Sequence, residues 1–321
     1  MGKNRISHDD THFLHSYSPI FSVILSVKRW LLTLLLVLPG VLSAQIGGRH
    51  VYSFLNLTPA PRAAALGGMN ISTYDHDANF AYQNPALVND SMHQQASFSV
   101  ANYLAGITYG YASYSHTFEG IASFHTGVQY LSYGKMTEAD VYGNQLGTFS
   151  ASDLAYVVGG SIKRDQFRFG ANLKLINSNI SRYRSHFALG MDLGGAYISD
   201  KGNFTAGMAF RNIGFNLSRW RVADGESTPL PLDIAIGISQ RLEHMPLRFS
   251  ITVNNLQTPK LIFYDKNAPP EFDLSGEEII TKFPFFDNLF RHFTFGTEFL
   301  ISQGFNLRAG YSHLRRQELR S

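Results

Sequence analysis

The chain has no cysteine, and only 16% of its 321 residues carry a charge. Without a thiol there is no disulfide, no structural thiolate metal site, no cysteine nucleophile and no acylated N-terminal cysteine anchor. The formal net charge is only +3, which gives no basic surface for nucleic acid. No apolar run is long enough for a membrane-spanning helix, which needs about 20 residues. What the chain has instead is 25 Phe, 16 Tyr and 28 Gly among 44% hydrophobic residues. That content is too apolar for disorder, and with so little charge it points to an all-β chain with an apolar exterior.

The N-terminus reads as an export signal. Lys28-Arg29 precede the apolar run Trp30–Leu38, the breaker Pro39-Gly40, and Val41-Leu42-Ser43-Ala44. A basic start, about a dozen apolar residues and a terminal small residue fit a signal peptide over residues 1–44, with Gln45 as the mature N-terminus. Residues 1–27 are long and His/Ser-rich for such a segment, so initiation is expected near Val27. Removing 1–44 leaves a nearly neutral exported chain.

After residue 95 the hydrophobicity alternates with period two. Phe167, Phe169, Ala171, Leu173 and Leu175 share one face, opposite Arg168, Gly170, Asn172 and Lys174. The pattern recurs in Leu154/Tyr156/Val158/Ile162, Phe187/Leu189/Met191/Leu193, Phe204/Ala206/Met208/Phe210, Leu232/Ile234/Ile236/Ile238 and Leu247/Phe249/Ile251/Val253. It closes with Phe293/Phe295/Phe299 and Phe305/Leu307/Ala309/Tyr311. Such alternation means half-buried strand, and it predicts about eleven strands between residues 96 and 314.

A soluble sandwich with an apolar core and a membrane barrel with an apolar outside both produce this pattern. Three features favour a transmembrane antiparallel β-barrel. The strands exceed the usual five or six residues. Aromatics such as Tyr103, Tyr130, Phe167, Phe187, Tyr197, Phe204, Phe293, Phe305 and Tyr311 fall near predicted strand ends, as in an interfacial girdle. Finally, connections alternate in length: Asp165-Gln166, Asp200–Gly202, Arg241–Pro246 and Gln303 are tight, whereas 134–152, 179–184, 213–230 and 256–291 are mostly longer. Outer-membrane barrels have short periplasmic turns and longer outward loops. The short connection at Leu104-Ala105-Gly106 breaks that rule.

The opposite strand face is small and polar, with Gly127, Gly159, Gly170, Gly190, Gly194, Gly207, Gly237, Gly296 and Gly310. Repeated inward glycine implies either close approach by another segment or freedom to curve. Residues 45–95, which do not alternate, are the candidate for that segment, an N-terminal hatch; 96–321 is then the barrel. An odd strand count would leave an edge unsatisfied in lipid, so the chain is expected to lack about one to three C-terminal strands.

Three stretches carry a resemblance. Arg62-Ala63-Ala64-Ala65-Leu66-Gly67-Gly68, then Asp75-His76-Asp77-Ala78 and Asn84-Pro85-Ala86-Leu87, resemble the N-terminal signature of the PorV/PorQ outer-membrane family. That family is similar in fold to the FadL fatty-acid transporters, which share the Asn-Pro-Ala element in their hatch. Further similar segments include Asn102–Ala105, Gly170–Ser178, Ala209–Gly214 and Gly310–Arg316. The resemblance implies a barrel of about 14 strands when complete, hatch motif positions at Arg62, Ala65, Leu66, Gly67, Gly68, Asn84, Pro85 and Ala86, and residence in the outer membrane of a Gram-negative bacterium. It also implies a non-enzymatic part in the type IX (Por) secretion system. There the partners would be outer-membrane lipid, lipopolysaccharide and a soluble surface protein of the cargo-attachment complex, PorZ-like, with no nucleic acid.

Catalytic signals are poor. Ser123 and His125 share a strand face, but no acid is placed to orient the histidine, and packing is the expected role. Asp75-His76-Asp77 reads as a capped turn rather than a metal site. No cofactor, metal or catalytic residue is expected. Inward Arg168, Lys174, Asp192 and Arg308 either line a pore or pair with one another to hold the hatch, and pairing is expected because lone buried charges are costly. Partner contact is expected from loops Met136–Phe149, Arg219–Pro229 and Pro259–Leu289, above all from Phe263, Tyr264, Phe272, Phe283, Phe285 and Phe286. The last group could instead fold over the barrel mouth as a lid. The competing function is a FadL-like importer of hydrophobic solutes.

Overall fold

A computed structural model describes residues 52–103, 106–140, 142–181, 184–217, 229–262, 271–272, 278–279, 284–302 and 304–318. The signal segment 1–44 and the expected start near Val27 lie outside the described residues. Most of the described chain is antiparallel sheet. The strands are β1 (Gln95–Asn102), β2 (Thr108–Phe118), β3 (Ala122–Ala139), β4 (Gln145–Arg164), β5 (Phe167–Ser181), β6 (Arg184–Ile198), β7 (Phe204–Asn216), β8 (Asp233–Arg241), β9 (Leu247–Val253), β10 (Glu271–Phe272), β11 (Glu278–Ile279), β12 (Phe293–Phe299) and β13 (Leu307–Ser312). Eleven of them form one meander in the order β1 to β9, then β12 and β13, while β10 and β11 pair separately. Among the described residues the sheet is not closed, because β1 and β13 do not pair. Three short helices accompany it: α1 (Pro61–Ala65), α2 (Phe285–Phe290) and α3 (His313–Glu318). None is long and apolar enough to cross a membrane.

The burial pattern is the reverse of a soluble sheet. On β4, β5 and β6, eleven large apolar side chains, from Leu154 to Leu193, are between 39% and 52% exposed. Their neighbours Asp153, Asn172, Lys174 and Asp192 are 0–1% exposed. The predicted alternation therefore exists with its apolar face turned outward. Outward aromatics meet across strands at one end of the sheet, with Phe167 5.4 Å from Tyr197 and Tyr197 6.4 Å from Phe204. Tyr130 points outward two residues before Ser132, where β3 loses its pairing with β2.

The predicted loop lengths need correction. Segment 134–152, expected as a long loop, is mostly strand: β3 and β4 stay paired from Lys135↔Ser150 to Ala139↔Gln145. β2 ends its pairing with β3 at Ser132, and β5 ends its pairing with β4 at Ser152, so this stretch projects as a two-stranded ribbon. Gly134, at φ +74, sits in the register shift between Ser132 and Lys135 and bends the strand instead of ending it. Likewise 179–184 is spanned by β5 and β6 almost entirely. Only the connections after β7 and after β9 are long, so length alternation is weaker support for a barrel than the outward apolar face.

Residues 52–93 lie against the inner polar face, and glycine makes room for them. A Cβ on Gly170 would come within 2.4–2.5 Å of the Pro85–Ala86 backbone. One on Gly310 would meet Leu66 and Gly67 at 2.1–2.2 Å, and one on Gly207 would meet the Ile71 carbonyl at 2.2 Å. Gly127 and Gly159 answer a different need, making room for Tyr111 and Asn172 of neighbouring strands. Gly170→Ala is therefore expected to cost about 1–3 kcal/mol by overpacking. Gly195→Ala, with nothing within 4 Å of its Cβ, should be nearly neutral. Thermal unfolding followed by circular dichroism checks this, and equal losses would contradict the close approach.

Candidate functional site

The segment 52–93 has little regular structure, so its backbone must be satisfied one group at a time. Pro61 opens α1 at a position whose N–H would be orphaned anyway. Gly67 and Gly68, at φ +90 and +97, close it: Gly68 N donates to Ala63 O at 2.8 Å and Gly67 N to Ala64 O at 3.1 Å. This left-handed termination needs residues without a Cβ. Arg315 lies directly over Gly68, where a Cβ would be 2.0 Å from its guanidinium carbon. Asp77, Asn84 and Asn89 each cap a short 3-10 turn through the backbone N–H two residues on.

Asn84 does more than cap. Its Oδ1 accepts from Ala86 N at 3.0 Å, and its Nδ2 donates to Ile71 O at 2.8 Å and to Gly195 O of β6 at 3.3 Å. Pro85 and Ala86 are fully packed between β5 and β6. Side chains of the sheet serve hatch carbonyls in the same way. Gln129 donates to Phe54 O at 2.7 Å, Arg168 to Val88 O at 2.6 Å, and Asn172 to Ala81 O at 3.2 Å. Ser161 and Ser99 serve Val88 O and Pro59 O. At the centre, Tyr82 packs edge-on against Tyr111, and its hydroxyl lies within hydrogen-bond reach of Leu55 O and Gln129 Oε1, with one proton to give to either.

Two ionic clusters fasten this packing. Lys174 pairs with Asp192 at 2.8 Å, both side chains fully buried, and Arg211 pairs with Asp233 at 3.0 Å. Lys174 Nζ also lies 4.6 Å from the Tyr82 ring centre. The second cluster joins the hatch to β9, β12 and β13. Arg62 bonds Asp75 at 2.6 Å and Glu298 at 2.9 Å, and lies 3.3 Å from Asp77. Arg248 reaches Asp75 at 2.7 Å and Glu298 at 3.0 Å, and Arg308 reaches Glu298 at 2.8 Å. Three guanidinium groups meet three carboxylates, so the cluster carries no net charge. Burial alone would raise the Asp75 pKa, but Arg62 and then Arg248 outweigh it and hold the carboxyl well below its usual range.

The motif residues expected from sequence thus converge on one region. Arg62, Leu66, Gly67 and Gly68 meet β12, β13 and α3, while Asn84, Pro85 and Ala86 meet β5 and β6. Ala65 contributes its carbonyl, facing Gly310. Glu298 lies on the inner face, as the strand alternation predicts, whereas Arg211 and Arg248 are not singled out by the sequence. Arg211 was hidden by a bulge opposite Met191–Leu193 that turns both Arg211 and Asn212 inward. Asp75-His76-Asp77 is a turn bound by arginine, and no group of three metal-ligating side chains occurs among the described residues. Ser123 donates to Asp90 at 2.9 Å, not to His125, whose ring nitrogens have no hydrogen-bond partner.

At the end where β3 meets β4, the ribbon tip exposes Tyr142 and Leu146, at 87% and 62%. Of the aromatic loop residues, Phe263, Tyr264 and Phe283 lie outside the described residues, and Phe272 falls on β10. Phe285 and Phe286 stand exposed on α2.

Compared with protein-family models and with curated proteins, the chain gives no match.

Two measurements probe the ionic clusters. Asp192→Asn leaves Lys174 buried without a counter-charge and should destabilise by about 3–5 kcal/mol, whereas Lys174→Met/Asp192→Asn should recover part of that loss. Asp75 is depressed in the folded state, so its contribution is complete above its unfolded pKa of about 3.9 and is lost as pH falls below that. Asp75→Asn should therefore unfold more easily at pH 7 and show a flatter loss of stability between pH 4 and pH 2 in acid melts. An unchanged acid slope would remove Asp75 from the network.

Proposed function

We propose that the chain is a transmembrane β-barrel of the outer membrane with a fixed N-terminal hatch, and that it acts without chemistry of its own. The observation that carries the membrane reading is the inversion of the sheet. Each half-exposed large apolar side chain gains roughly 1 kcal/mol on transfer to an apolar medium. Eleven such side chains on β4–β6 alone amount to about 10 kcal/mol, as much as the whole stability of an ordinary domain. A bilayer supplies that medium, and an apolar surface this extensive would otherwise be an aggregation site.

Within that reading, the role we propose is a PorQ-like anchor of the type IX (Por) secretion system. It would hold a soluble, PorZ-like surface protein at the membrane beside lipopolysaccharide. The resemblance of Arg62–Gly68 and Asn84–Leu87 to the PorV/PorQ signature motivates it. The geometry is support of a general kind: a hatch bonded to strands along the described sheet is a firm base, and rigid scaffolds present binding loops well. The projecting ribbon 135–150 and the connections after β7 and β9 offer the surface. A FadL-like importer needs a continuous apolar path, and the described inner face is interrupted by buried ion pairs and packed against residues 52–93.

Full-length protein in outer-membrane vesicles tests the reading. Purified PorZ-like protein is expected to bind the unaltered chain and to lose at least about tenfold in affinity when the ribbon is shortened, a loss of about 1.4 kcal/mol. Unchanged binding to the shortened chain, or uptake of a fatty acid that depends on the same residues, would contradict the anchor.

A further inference from the structure

The short helix α2 sorts its side chains cleanly. Asp287 accepts from Arg291 at 2.9 Å and sits 2.6 Å from His313 of α3. Asn288 is buried, accepting from Leu261 N at 2.8 Å and donating to Pro259 O at 2.7 Å. The polar side is thus fully engaged and fixes the helix rigidly. On the other side Phe285, Phe286, Leu289 and Phe290 are 39–72% exposed.

That exposed side is continuous with the outer face of the sheet. Phe290 lies 6.3 Å from Phe293, which stacks 5.9 Å from Phe295 on β12. Phe293 and Phe295 belong to the apolar row that Phe249 and Ile251 of β9 continue, with Phe295 opposite Ile251. Whatever medium wets that row also wets α2. The helix sits just before β12, where the chain enters the sheet from the polar groups of Asp287, Arg291 and His292, which is the place for an amphipathic element at a lipid–water boundary.

We infer that α2 is an interfacial helix whose partner is the lipid bilayer itself, at the level of the headgroups and first acyl carbons. This rests on the membrane-barrel reading above. It removes Phe285 and Phe286 from the surface that receives a protein partner and leaves that task to the ribbon and the remaining loops. The helix instead sets how deeply this edge of the sheet sits.

The absence of cysteine makes the test direct, because a single introduced thiol is unique in the chain. Phe286→Cys, Leu173→Cys and Tyr142→Cys would each be labelled with an environment-sensitive fluorophore in phosphatidylcholine/phosphatidylglycerol vesicles. Quenching by lipids spin-labelled near the headgroup or deep in the acyl chain is then compared with quenching by aqueous iodide. Phe286→Cys is expected to be quenched by the shallow lipid label at least about twofold more than Tyr142→Cys, with iodide showing the opposite order. Leu173→Cys should respond to the deep label. If the Phe286→Cys probe behaves like the ribbon tip while Leu173→Cys remains lipid-quenched, the helix inference fails and the barrel stands. If Leu173→Cys is also open to iodide, both fail. Phe285→Cys repeats the measurement should Phe286→Cys not fold.

Discussion

Everything in this fold follows from one constraint: the buried side of the sheet is the polar side. Asp153, Lys174, Asp192, Arg211, Asp233 and Glu298 are removed from water, and each needs a partner close by. The wall pairs Lys174 with Asp192 and Arg211 with Asp233 itself, while Glu298 and Arg211 also draw on the hatch. Its carbonyls accept from Gln129, Arg168 and Asn172, and its own Arg62 and Asp75 complete the cluster around Glu298. Neither part is stable alone in this arrangement. The hatch lacks a regular hydrogen-bond ladder, and the apolar core is built jointly, with Tyr52, Phe54, Leu55 and Tyr82 packed on Tyr109, Tyr111, Leu131, Val157 and Ile176. They are expected to order together.

The electrostatics say why such a plug does not drift. Both ionic clusters are charge-balanced; the first ties neighbouring strands of the sheet, and the second joins the hatch to the far end of the chain, Arg62 and Glu298 being 236 residues apart. Pulling the hatch away would separate two short ion pairs, Arg62 with Glu298 and Asp75 with Arg248, in a medium that screens poorly. Shape reinforces charge. Backbone of Pro85, Ala86 and Gly67 fills space that a single methyl on Gly170 or Gly310 would occupy. A contact of this kind tolerates little sliding, which suits a base that must hold still and is ill suited to a gate.

Much of the sheet was legible because period two is a local property. The run Phe167–Leu175 displays its two faces without any knowledge of its neighbours, and β5 lies where that run predicts. The β3–β4 ribbon was not legible, because Gly134 and the Ser/Thr/Gly mixture before Ser150 look like loop, and only cross-strand pairing shows them to be strand. The pairing of Arg211 with Asp233 depends on register between β7 and β8, which no single strand encodes. Glycine on the inner face was visible, but not its purpose. At Gly170, Gly207 and Gly310 it admits the hatch, and at Gly127 and Gly159 it admits a side chain of the wall.

The outer face is the other half of the same constraint, since polar side chains turned in leave the apolar ones turned out. Phe169, Leu173 and Leu175 on β5 have no protein to cover them. Sedimentation of the chain from Gln45 onward, with and without detergent, tests this most directly when circular dichroism is recorded on the same samples. The account predicts a β-rich monomer only where detergent or lipid covers the sheet, and aggregation when it is removed. A monodisperse β-rich monomer in plain buffer would contradict it.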